Sequence, residues 1–81
     1  MAKKKLQIII NGQSIEWDNE KISFEEVVKI AFPSVKDSEI VLYTVTYHDG
    51  PKQNPKGNIS SWGKIHTGDQ MFFTCTSTSQ S

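Results

Sequence analysis

Apolar residues alternate with their neighbours at the start of the chain, and this alternation predicts a β-hairpin. Leu6, Ile8 and Ile10 occupy every second position and are followed by the pair Asn11-Gly12. Asn-Gly between two strand-like segments is the strongest short-range signal for a two-residue hairpin turn. Residues 14–17 are therefore predicted to return as the second strand.

A helical pattern follows the hairpin and has signals at both ends. Ser23 and Glu26 stand three residues apart, which is the spacing of a capping box, and Pro33 is placed to end the helix. Between them, the apolar residues recur at the spacing of one helix face: Phe24, Val27, Val28 and Ala31 or Phe32. One short helix is therefore predicted.

The second half of the chain contains two further strand patterns. In residues 41–47, Tyr43, Val45 and Tyr47 share one face and two threonines lie between them on the other. Residues 70–76 form the last predicted strand, preceded by a turn at Gly68-Asp69. Residues 48–58 contain glycines and prolines and predict a long polar loop, and residues 59–65 predict a short strand or turn.

This order of elements predicts an α+β fold of the β-grasp (ubiquitin-like) type. A helix between strands normally makes a crossover that joins parallel neighbours, so we expect a mixed sheet of four to five strands with one helix packed across one face. The domain is predicted to span residues 1–76, with a flexible C-terminal tail at residues 77–81. The predicted core consists of Leu6, Ile8, Ile10, Val27, Val28, Tyr43, Val45, Met71 and Phe73.

Composition narrows the function classes. The 81 residues leave room for one domain, and nine lysines balance nine acidic residues without any arginine. The missing arginine argues against nucleic acid as a partner. No stretch reaches the roughly 18 apolar residues of a membrane helix, and no signal-peptide pattern is present. A single cysteine fits a reducing compartment, so a cytoplasmic protein is expected.

Residues with catalytic or metal-binding potential are few. Cys75 shares a strand face with Met71 and Phe73, so a buried thiol is favoured over a nucleophile. His48 and His66 lack further ligands at metal-binding spacing and are interpreted as solvated turn residues. Ser60-Ser61 with His66 and Asp69 has the composition of a hydrolytic triad but offers no oxyanion pocket. We expect no catalytic residue, no metal and no cofactor.

An exposed face of the sheet is the candidate binding surface. If Met71 and Phe73 point into the core, Phe72 points outward. The predicted partner-binding surface consists of Ile9, Leu42, Thr44, Phe72 and Thr74. A docking face and incidental exposure are equally consistent with this pattern. Trp62 is either a plug at the end of the core or an interface anchor, and Trp17 is expected to pack under the helix or hairpin.

Three segments resemble the bacterial multiubiquitin domain, a ubiquitin-like modifier family. They are Ile22–Val28, Tyr43–Tyr47 with the following Gly50 and Gly57, and Ile65–Thr76, and the resemblance extends over about residues 6–79. It implies a protein modifier in a bacterial conjugation pathway linked to antiviral defence. The implied partners are activating-like and conjugating-like enzymes, a deconjugating protease and target proteins.

The resemblance also implies that the C-terminus forms the linkage, through a conjugation tail of Ser77, Thr78, Ser79, Gln80 and Ser81. Ubiquitin-type modifiers end in Gly-Gly, whereas this sequence has no glycine after Gly68. Either the partner enzymes accept another terminal residue, or the tail is trimmed, or the chain is not conjugated. The alternative function is a β-grasp interaction module that self-assembles into a homo-oligomer or docks through its open sheet face.

Overall fold

Seven strands, one α-helix and one 3-10 helix follow one another along residues 5–77, the part of the chain that the computed structural model describes. In chain order these elements are β1 (Leu6–Ile10), β2 (Gln13–Trp17), β3 (Lys21–Ser23), α1 (Phe24–Ala31), the 3-10 helix (Asp37–Leu42), β4 (Tyr43–His48), β5 (Gly57–Ile59), β6 (Lys64–His66) and β7 (Met71–Ser77).

Five of the strands form one mixed sheet in the order β2-β1-β7-β4-β5. The central pair, β1 and β7, is parallel, whereas β1–β2, β4–β7 and β4–β5 are antiparallel. Strands β3 and β6 form a separate two-stranded ribbon. Helix α1 packs across one face of the sheet. The arrangement is a ubiquitin-like β-grasp, which confirms the predicted fold class.

Local signals in the sequence form the hairpin and the helix as predicted. Asn11 and Gly12 both have positive φ, 53° and 81°, as a type I′ turn requires. The Ser23 hydroxyl accepts from the Glu26 backbone N–H at 3.0 Å, and the Glu26 carboxylate accepts from the Ser23 N–H at 2.8 Å. This reciprocal pair is the predicted capping box, so it fixes the first turn of α1.

The core lies between the helix and the sheet. It consists of Ile8, Ile10, Ile22, Phe24, Val27, Val28, Ile40, Val45, Tyr47, Ile59, Met71, Phe73 and Cys75. Leu6 and Tyr43 were predicted to be core residues, but both are only partly buried. Each is the first residue of its strand, at the border of the sheet, so neighbours cover it incompletely.

The strand predicted over residues 41–47 begins only at Tyr43, because residues 37–42 have a different structure. They form the 3-10 helix, which turns Ile40 into the core and leaves Val41 and Leu42 outside. Residues 57 and 58, predicted as the end of the polar loop, belong to a strand together with Ile59, because β5 pairs with β4. Within residues 5–77, no helix has the length and apolar character needed to cross a membrane.

Candidate functional site

The last strand, β7, lies in the middle of the sheet. It pairs with β4 from Phe72 to Ser77, but its main-chain pairing with β1 covers only Met71 to Phe73. Strand β1 therefore ends opposite Phe73, and β7 continues beyond it to Ser77. Ser77, the last described residue, therefore ends a strand at the centre of the sheet.

A side chain replaces the missing strand partner beyond Phe73. Asn11 turns away from β1, and its backbone N–H still donates to the Phe73 carbonyl at 3.0 Å. Its carboxamide then accepts from the Cys75 N–H at 2.8 Å and donates to the Cys75 carbonyl at 3.0 Å. We call this pair of side-chain hydrogen bonds the Asn11 clamp. It extends the hold of the hairpin on β7 by two residues.

The predicted conjugation tail lies largely outside the described residues. Ser77 is the last residue of β7 and stands opposite Tyr43, one residue beyond the predicted end of the strand. Thr78, Ser79, Gln80 and Ser81 are beyond the described range. Their role in conjugation stays a prediction, and the domain boundary at residue 76 falls inside the strand.

Two exposed apolar side chains lie beside the end of β7. Val41 and Leu42 are 48% and 45% exposed, and they immediately precede Tyr43, the register partner of Ser77. We call these two residues the exit ledge. The 3-10 helix that carries them is connected to α1 by an ion pair of 3.2 Å between Lys29 and Asp37.

The side of the five-stranded sheet away from α1, which we call the outer face, carries the other predicted partner residues. Ile9 lies opposite Phe72 on one side, and His48 lies opposite Phe72 on the other. The His48 and Phe72 rings are stacked, with centroids 4.9 Å apart and planes at 5°. Phe72 remains 38% exposed.

Threonines continue the outer face along β4 and β7. Thr74 lies opposite Thr46, and Thr76 lies opposite Thr44. Four of the five predicted surface residues therefore share this face, namely Ile9, Thr44, Phe72 and Thr74. Leu42 does not, because the 3-10 helix moves it to the exit ledge. His48 was interpreted as a solvated turn residue, but it is the last residue of β4 and lies on this face, where its position continues the alternation of residues 43–47.

The thiol of Cys75 is not presented on these surfaces. Cys75 is buried, and burial raises the pKa of its thiol to about 11. A thiol that is protonated and enclosed reacts slowly. Among residues 5–77, His, Cys, Asp and Glu side chains form no group of three that would hold a metal ion.

The remaining candidates occupy structural positions or turns. His66 was interpreted as a solvated turn residue, but it belongs to β6, and its backbone is bound by the Asn54 side chain. Trp62 is 57% exposed, so the plug interpretation is wrong. Trp17 packs against the core from β2, and its indole N–H donates to the Lys21 carbonyl at 3.1 Å.

A cleft of about 350 Å³ opens at the far end of the sheet from the exit ledge. Asp18, Glu20 and His66 line it, together with Leu6 from the start of β1. The lining includes neither serine nor cysteine, and the Thr67 hydroxyl donates to the Asn19 carbonyl at 2.7 Å.

Comparison with known protein families identifies a family for this chain. The sequence profile of the family described as Multiubiquitin matches residues 6–78. No curated protein matches the chain. No solved structure matches it either.

Proposed function

The chain belongs to the Multiubiquitin family, and on that basis we propose that it is a ubiquitin-like protein modifier of a bacterial conjugation pathway. A partner adenylating enzyme activates its C-terminal carboxylate, and conjugating enzymes transfer it to target proteins. In this proposal the chain is a substrate of enzymes and has no catalytic role of its own.

The observation that carries the proposal is the position of β7. The strand is held on both sides as far as Cys75, by β4 and by the Asn11 clamp, and it continues to Ser77 at the border of the sheet. The chain that follows is thereby presented from a rigid base. An enzyme that must place a terminal carboxylate accurately gains from such a base, because fewer degrees of freedom remain to be ordered on binding.

In the proposed reaction this chain contributes a carboxylate, and partner molecules contribute every other reacting group. The carboxylate oxygen attacks the α-phosphorus of ATP, which forms an acyl adenylate and releases pyrophosphate. A partner cysteine thiolate then displaces AMP to give a thioester, and a target amine displaces the thiolate to give an amide. Cys75 takes no part, because its thiol is enclosed in the core.

The exit ledge supplies the contact surface for such an enzyme. Val41 and Leu42 present apolar area next to the point where β7 ends. Apolar side chains near the centre of an interface contribute most when a partner removes them from water. A partner that binds the tail is therefore expected to cover both side chains.

The test combines purified protein, ATP and an adenylating enzyme from the same genome, and it follows pyrophosphate release and the thioester adduct. Removal of residues 78–81 should abolish both signals while the melting temperature stays unchanged. Truncation at residue 77 keeps the Ser77 position opposite Tyr43, so loss of signal then reflects the tail and not the strand. Full activity of the truncated protein would contradict the proposal, provided that the enzyme is active.

A second candidate function rests on the outer face. Ile9, Phe72 and His48 lie side by side there, flanked by uncharged threonines. Such a surface suits a second copy of the chain or an apolar partner, since no like charges in its centre oppose contact. In this function the domain acts as an interaction module that assembles through its sheet.

A further inference from the structure

Two asparagines in this domain make the same unusual contact. The Asn11 carboxamide binds both backbone groups of Cys75, at 2.8 and 3.0 Å. The Asn54 carboxamide binds both backbone groups of His66, at 2.9 Å each. In each pair the side-chain amide takes the place of a peptide group of a neighbouring strand.

The two asparagines differ in chemical reactivity because a different residue follows each of them. Asn11 precedes Gly12, whereas Asn54 precedes Pro55. A backbone N–H can attack the preceding asparagine side chain, and proline has no N–H to do so. Glycine is the least hindered of the residues that can, and apart from Gly12 and its two chain neighbours no residue places a heavy atom within 4 Å of the position that a Gly12 Cβ would occupy. Asn11 therefore has an open route to cyclisation that Asn54 lacks.

We infer that Asn11 is a deamidation site and that attachment of β7 through the Asn11 clamp keeps it unreactive. The inference concerns the chain's own chemistry with water and is independent of the function proposed above. It identifies Asn11 as a modification site and the C-terminal strand as the element that protects it.

The reaction requires only water. The Gly12 backbone nitrogen attacks Cγ of Asn11, a C–N bond forms, and the bond from Cγ to Nδ2 breaks. The nitrogen's proton is transferred to the leaving group, and ammonia departs. Water then opens the resulting succinimide at either carbonyl, which gives an aspartate or an isoaspartate at position 11. No oxidant or further reactant is consumed.

The clamp controls this reaction through geometry. Cγ of Asn11 must rotate toward the Gly12 nitrogen, but both polar atoms of the carboxamide are held against Cys75. Rotation therefore requires both hydrogen bonds to Cys75 to break, and separation of the end of β7 from the hairpin breaks them together. Such local opening precedes global unfolding in many proteins and occurs most readily near strand ends. The rate at Asn11 should follow how often β7 opens.

Modification should in turn weaken the hold on β7. A carboxylate has no N–H to donate, so the Cys75 carbonyl would face an oxygen in place of its donor. The unpaired carbonyl and the repulsion between oxygens both disfavour the closed strand. An isoaspartate adds a methylene to the main chain of a two-residue turn and also disturbs the register of β1 and β2. Each product favours the open state, and the loss of ammonia makes the change one-way.

The experiment incubates the purified chain in mildly alkaline buffer, with and without denaturing urea, and quantifies each asparagine by peptide mapping and mass spectrometry. Asn19, Asn54 and Asn58 serve as internal references in the same digest. We expect Asn11 to be the fastest of the four in urea and at least tenfold slower in the folded protein. Equal rates at Asn11 in both conditions, or an Asn11 no faster than Asn19 in urea, would overturn the inference.

Two variants test the link to β7 without relying on urea. Val45→Ala removes packing beside Cys75, its register partner, and should accelerate deamidation at Asn11 roughly tenfold or more by raising the open population. Asn11→Asp keeps a residue suited to the turn but lacks the donor, so it should speed hydrogen exchange of the β7 amides. Unchanged hydrogen exchange in Asn11→Asp would refute the claim that the product releases the strand. The same exchange measurement can be made on deamidated wild-type protein.

Discussion

The imidazole ring of His48 lies parallel to the phenyl ring of Phe72 across the β4–β7 pair, with a centroid distance of 4.9 Å. His48 also lies 3.1 Å from the Asp49 carboxylate through Nδ1. The stack covers one side of Phe72 and leaves the other side open toward Ile9. This relationship defines the apolar centre of the outer face and makes Phe72 the residue whose substitution tests it.

Phe72→Asp should abolish any self-association through the outer face. It places a charge where a partner would remove it from water, and an unpaired buried charge is strongly unfavourable. Ser61→Asp is the matched control, because Ser61 is exposed in the turn between β5 and β6 and does not belong to a strand of the outer face. Sedimentation velocity over a concentration series gives the readout. A wild-type chain that stays monomeric throughout, or equal effects of both substitutions, would contradict assembly through Phe72.

Val45→Ala should lower the free energy of unfolding by about 2 kcal/mol, as expected for loss of buried methyl groups that leaves a small cavity. Val45 has no exposed surface and lies between β5 and β7. Val41→Ala is the same chemical change at a side chain that is 48% exposed. It should cost under about 0.5 kcal/mol. Urea denaturation of both variants measures the difference, and equal losses would place Val45 outside the core.

Asn11→Gly should speed hydrogen exchange at the Cys75 amide more than at any other amide of β7. Glycine adopts the positive φ of position 11 without strain, so the hairpin turn is kept while the clamp is lost. The Cys75 N–H then has no acceptor in place of the Asn11 carboxamide. A loss of about 1–3 kcal/mol in stability is expected from the two unpaired backbone groups. Exchange by NMR separates this local effect from general destabilisation.

Cys75 should react slowly with alkylating reagents in the folded protein. Its side chain is 2% exposed, and its pKa is raised to about 11, so little thiolate forms near neutral pH. Labelling should become fast in denaturing urea. Mass spectrometry of timed, quenched samples gives both rates, and rapid labelling of the folded chain at neutral pH would show that the thiol is not enclosed.

The raised pKa of the Cys75 thiol also predicts how the stability of the fold depends on pH. The pKa of Cys75 is raised from 9.0 in the unfolded chain to about 11 in the folded one. Between these values the unfolded state binds fewer protons, so stability is fully present below pH 9.0 and falls as pH rises toward about 11. The slope should reach up to about 1.4 kcal/mol per pH unit. Cys75→Ala removes this contribution, and urea titrations across the range compare the two chains.

Elements set by neighbouring residues could be predicted from the sequence. The Asn11-Gly12 turn and the Ser23–Glu26 capping box depend on residues at most three positions apart, and both form as expected. Strands β5 and β6 have three residues each and exist because distant strands pair with them, so their sequences hold little signal of their own. Likewise, nothing near residues 37–42 indicates that Ile40 turns inward.

The candidate surfaces divide in the same way. Strand alternation alone was enough to place Ile9 and Phe72 on one face. The Asn11 clamp joins residues 64 positions apart, and the exit ledge depends on the register of Tyr43 with Ser77. Such contacts follow from the packing of the whole sheet, so sequence patterns do not indicate them.

The parallel pairing of β1 with β7 has a mechanical consequence. These two strands are neighbours at the centre of the sheet, and they are the first and last strands along the chain. Forces applied before β1 and after β7 therefore pull them in opposite directions along their length. Shear of this kind loads every hydrogen bond between them at once, and the Asn11 clamp adds two more at the same seam. The domain should therefore resist stretching between its ends far better than peeling of its edge strands β2 or β5, and a target tethered through its C-terminus would be linked to a mechanically stiff unit.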